Sequence, residues 1–104
     1  MKLANLEATL IKATGPQSFQ CGVNMAEAQG VMFLCPTCYK KNGGSVGTHS
    51  VIVWWKDPGA LLDGNPTWNM TGTGLDNLSL SPSIDLTKSP GGCWHGFVTN
   101  GEAT

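Results

Sequence analysis

Along the chain the apolar positions fall in short bursts, not in long helical stripes. VMFL, Val31 to Leu34, is a continuous apolar run that predicts a buried strand. HSVIVWW, His49 to Trp55, is β-branched and aromatic nearly throughout and predicts the strongest strand of the chain. Thr67–Met70, Ser83–Leu86 and Trp94–Thr99 predict three more, each set off by Gly, Pro, Asn or Asp. Leu3 to Ala13 reads two ways: Thr9-Leu10-Ile11 suits a strand, whereas Leu3, Leu6 and Leu10 fit helical spacing. NMAEAQG, ending at Gly30, is the stretch with helical propensity and predicts a turn or two of helix. YKKNGGSVGT predicts a flexible loop, and Pro82 is expected at a strand start, where its missing N–H is tolerated. Asn100-Gly101 is a hairpin-turn signal with three residues after it, fewer than a second strand would need.

The expected fold is therefore mostly β: a small antiparallel β domain with at most one short helix. At 104 residues the chain is one domain, with 31–102 as the motif-bearing core and 1–30 as an N-terminal extension. Fourteen glycines, six prolines and four tryptophans suit short strands, tight turns and a thin aromatic core. Cores of that kind often need a disulfide or a metal as a staple.

Charge narrows the partners. Six lysines against seven acids give a formal net charge of −1, and arginine is absent from the sequence. Nucleic-acid binders rely on basic patches and on arginine, so Lys40-Lys41 alone argues against that class. No stretch approaches the roughly 20 apolar residues of a membrane span, and the N-terminus lacks a signal-peptide core. A cytosolic protein is expected, where clustered cysteines more often hold metal than form disulfides.

CPTC, Cys35 to Cys38, places two thiols on one tight turn, half of a tetrahedral zinc site. The competing reading is a redox pair, which requires a substantial helix after the motif; the three glycines of the following segment disfavour one. CWH supplies the other half: on an extended strand Cys93 and His95 point to one side and Trp94 to the other. Gly91 and Gly92 would let the backbone approach closely, and Gly96 would leave room beside the imidazole. The expected ligands of Zn²⁺ are Cys35, Cys38, Cys93 and His95 in a zinc-knuckle, zinc-ribbon-like site, with His49 and then Cys21 in reserve. Cys3His is typical of a closed structural site, and no His-x-Glu of the deaminase type occurs. The adjacent Trp54 and Trp55 must face opposite sides of a strand, which makes them candidates for partner contact.

Taken in order, MFLCPTC, His49, TWNMTG, LSLSPSI and CWHGFVTNGE resemble a family of small phage and prophage proteins of unknown function. Its members are often mislabelled ammonia monooxygenase, and related sequences occur beside bacterial ubiquitin-like conjugation genes. The resemblance covers Val31 to Glu102 and implies a metal site drawn from Cys35, Cys38, His49, Cys93 and His95. This chain departs from the family pattern in two places: Trp94 separates Cys93 from His95, and the family's later Asp-Cys-x-His segment is missing, which leaves too few ligands for two ions. The resulting expectation is a non-enzymatic phage-type accessory protein of the host cytoplasm that binds a host or virion protein. A minor virion or decoration subunit is the first alternative, and a zinc hydrolase or deaminase the second.

Overall fold

The computed structural model describes residues 1–15, 18–56, 67–85, 87 and 94–104. Two four-stranded antiparallel sheets carry the fold. The first has the order β2-β1-β3-β4, from β1 (Thr9–Gly15), β2 (Ser18–Cys21), β3 (Gly30–Leu34) and β4 (Ser50–Trp54). The second has the order β5-β6-β7-β8, from β5 (Asn69–Thr71), β6 (Ser79–Asp85), β7 (His95–Thr99) and β8 (Glu102–Ala103). Apolar alternation decides which face each strand buries. Val51 and Val53 of β4 point inward beside Val31 and Phe33 of β3, and Leu80, Ile84 and Val98 answer from the second sheet. Burying a side chain of this size contributes about 1.5–3 kcal/mol, so this shared layer holds the sheets together. Trp94 sets its ring edge-on to Phe33, with centroids 5.8 Å apart.

The one α-helix among the described residues, α1 (Pro36–Asn42), is not where propensity placed it. Asn24 to Gln29 forms turns instead, and the helix begins inside CPTC. Pro36 at the first turn has the φ a helix start requires, and Gly43 closes the other end at φ 68°. The glycines of the expected loop therefore end a helix that Tyr39, Lys40 and Lys41 had already built.

Residues 1–15 and 18–30 are part of the sandwich. Leu3 and Leu6, on a 3-10 turn (Leu3–Leu6), are fully buried in the common core. The Met1 amine donates to the Ala103 carbonyl at 2.8 Å, and Leu3 N–H donates to Gly101 O at 2.8 Å. The start of the chain thus lies along β8 before crossing to the first sheet. The Asn100-Gly101 turn completes its hairpin after all, because a two-residue β8 suffices once the N-terminal residues pair on its far side. Among the described residues no helix is long and apolar enough to cross a membrane.

Candidate functional site

Two clusters of chemically useful side chains form at different places. In the first, the β3–β4 register pairs Leu34 with Ser50, so the next rung sets Cys35 against His49. The Cys35 N–H donates to the His49 carbonyl at 2.9 Å. Cys35 is the N-cap of α1 and Cys38 follows one turn later, so both thiols lie at the same end of the helix. The ligand atoms of Cys35, Cys38 and His49 lie within 4.8 Å of one another. Cys35 is buried, Cys38 and His49 are half-buried, and two thiols with one imidazole are a donor set that can hold a metal ion. His49, the reserve ligand of the sequence reading, is the histidine of this group. Cys21 is exposed on β2, at the sheet edge two strands removed from β3. Cys93 lies outside the described residues, as do Gly91 and Gly92.

His95 belongs to the second cluster. Trp94 is buried and His95 exposed, the alternation expected of a strand, so the imidazole stands on the outer face of the second sheet. There its Nε2 is 3.2 Å from Ser83 Oγ. A double irregularity in β6 produces this contact. Leu80 pairs with Val98 and Ile84 with Gly96, so Ser81, Pro82 and Ser83 stand against the single residue Phe97. Proline removes a ladder donor and settles where a ladder is broken, which places Pro82 inside a bulge and not at a strand start. The Ser81–Pro82 peptide is cis. Two extra residues preserve the inward direction of Ile84 while pushing Ser83 out of the ladder. The Ser83 carbonyl accepts from Trp68 Nε1 at 3.4 Å. Asp85 is the residue directly opposite His95 in the β6–β7 register. Its Oδ1 accepts from the Thr87 N–H at 2.9 Å and the Thr87 hydroxyl at 2.6 Å.

Gly96 is buried for a reason other than space beside the imidazole. A Cβ there would meet the Thr104 carbonyl and would come within 2.8 Å of Trp94 Nε1. Trp54 is buried, edge-on to Phe19 at 6.5 Å, and Trp55 is half-buried. Ser83 and Asp85 escaped the sequence reading. The signal that could have found them is Ser-Pro-Ser ahead of an aliphatic residue, ten residues before a strand that carries one of two histidines.

A serine hydroxyl and an imidazole within hydrogen-bond reach, with a carboxylate opposite the imidazole, can perform nucleophilic acyl transfer without a metal. Comparison with known proteins bears on that chemistry. The family model for the bacterial ubiquitination-like system serine protease (BubE) matches residues 8–104. No curated protein and no solved structure matches the chain. The family is one of serine proteases, which corrects the expectation of a non-enzymatic accessory protein or a virion subunit. That expectation searched for catalysis at the metal ligands alone, where a closed Cys3His set argues against it, and overlooked a serine that only strand pairing brings to His95. By this match, the chain belongs to the bacterial ubiquitination-like system serine protease (BubE) family.

Proposed function

We propose that the protein is a serine-type peptide hydrolase acting in a ubiquitination-like system, with Ser83 as nucleophile and His95 as general base. The observation that carries this reading is the 3.2 Å contact between Ser83 Oγ and His95 Nε2, at a strand bulge, in a chain of this family. With the ring proton on Nδ1, Nε2 accepts the serine proton as Oγ attacks the scissile carbonyl. The tetrahedral intermediate collapses when the imidazolium returns that proton to the leaving amine. An ester to Ser83 remains, and a water deprotonated by His95 hydrolyses it. Asp85, opposite His95, orients the ring and stabilises the imidazolium. Trp68 holds the Ser83 backbone in place through its carbonyl.

Cys35, Cys38 and His49 are the proposed ligands of a zinc ion that staples β3, α1 and β4 together. Thiolate and imidazole donors on a short knuckle suit Zn²⁺ over harder cations. Cys93 is the proposed fourth ligand: it precedes Trp94, whose ring packs on Phe33, two residues before Cys35. When bound, the ion would supply folding energy there.

A fluorophosphonate probe followed by peptide mapping tests the catalytic assignment. Covalent labelling at Ser83, lost in His95→Ala, is the expected result. Labelling at another serine, or labelling of Ser83 that ignores His95, would reject it.

A further inference from the structure

Phe97 is 53% exposed in the middle of the second sheet. It is one of three large apolar side chains left exposed among the described residues, with Val46 and Ile52. Its place is unusual in another way: it is the residue that faces the Ser81-Pro82-Ser83 bulge across the strand pair. It lines a cleft of about 250 Å³ together with the polar residues Asn69, Thr71, Ser79 and Ser81. A second hollow, of about 430 Å³, includes His95 itself along with Trp94, Thr37 and Lys40. Along β7 the two hollows meet successive stretches, Trp94-His95 and Phe97–Thr99.

We infer that the Phe97 cleft is the specificity subsite of the enzyme and takes an apolar side chain of the polypeptide substrate within two residues of the scissile bond, on its acyl side. The inference rests on the Ser83–His95 reading and adds the substrate class. In acyl transfer the base returns its proton to the leaving amine, so the leaving segment lies over the imidazole. The hollow that includes His95 is thus the leaving side, and the cleft beyond the bulge receives the acyl side. Strand residues on one face repeat every ~7 Å, so Phe97 stands two residues of extended peptide from His95. A cleft of about 250 Å³ is smaller than the roughly 300–1,000 Å³ of a pocket for a drug-sized ligand. It suits one side chain. An aromatic ring left in water in that cleft rewards an apolar group that covers it, while the amide and hydroxyl groups beside it can bond the peptide backbone.

The test is a mixed peptide library cut by the full-length protein, with cleavage sites read by mass spectrometry, for the wild type, Phe97→Ala and Phe97→Ser. The expected result is enrichment of Leu, Met or Phe at one of the two positions before the cut. That preference should fall about tenfold in both variants, the range open to a single apolar subsite. Because Phe97 is exposed, both variants should melt with the wild type. Cuts without apolar enrichment, or enrichment that survives in both variants, overturn the subsite. So does a library left uncut by a protein that still forms the Ser83 adduct, since the assigned substrate class is then wrong. Absence of that adduct removes the hydrolase reading and the subsite with it. A change in sedimentation of the Phe97 variants would instead make the ring a contact between copies, and would also overturn the proposal.

Discussion

Of the two serines that flank Pro82, Ser83 is the one in hydrogen-bond contact with His95. If the pair is the nucleophile and its base, Ser83→Ala and His95→Ala each lower kcat by about 10⁴-fold or more, and combining them costs little beyond either alone. Asp85→Asn keeps the shape of the carboxylate and removes its charge, so about a hundredfold loss in kcat with KM nearly constant is expected. Steady-state kinetics on one peptide substrate checks all four. At this scale the sequence was readable only in part. Cysteine pairs announce themselves because the residue is scarce and its spacing is chemically restrictive. Serine is common, and nothing in Ser83 alone separates it from the other serines of the chain.

The elements that position the two clusters are short and depend on single backbone features. In β3–α1–β4 the strand register sets His49 opposite Cys35, and the helix start returns Cys38 to the same spot. Ligands of the proposed zinc must lose protons to bind it, so acidification should favour its release. Native mass spectrometry across a falling pH series should show one zinc per chain lost, with the melting temperature dropping in the same interval. Cys35→Ser should bring that loss to neutral pH. In β7 the constraint is steric. Gly96→Ala drives a methyl into the Thr104 carbonyl and the Trp94 ring, which costs about 1–3 kcal/mol by overpacking. For a domain near 100 residues that lowers the melting temperature by about 4–8 °C per kcal/mol, readable by calorimetry.

For the whole molecule, stability comes from one apolar layer shared by two thin sheets. Leu78 is fully buried between them at the β6 end of the sandwich. Leu78→Ala should cost about 2–5 kcal/mol in urea unfolding while leaving any surviving native fraction able to form the Ser83 adduct. The same layer explains why the N-terminal residues are integral: Leu3 and Leu6 fill it, and the first residues of the chain cover the edge of β8. An edge left bare would expose unpaired N–H and C=O groups.

By itself the sequence determined the β class, five of the strand regions and the pairing of Cys35 with Cys38. These depend on local alternation, β-branched runs and spacing along a single turn, all of which are carried by neighbouring residues. Tertiary structure decided the rest. The helix formed in the cysteine knuckle because Pro36 and Gly43 cap it at both ends, while the better helix former in NMAEAQG was consumed by turns. His49 joined the cysteines and His95 joined a serine because strand registers, not sequence distance, set which side chains meet. A twelve-residue separation between Ser83 and His95 becomes a 3.2 Å contact only when β6 bulges against Phe97. Propensity and periodicity contain no term for that. Register is a property of the paired strands together.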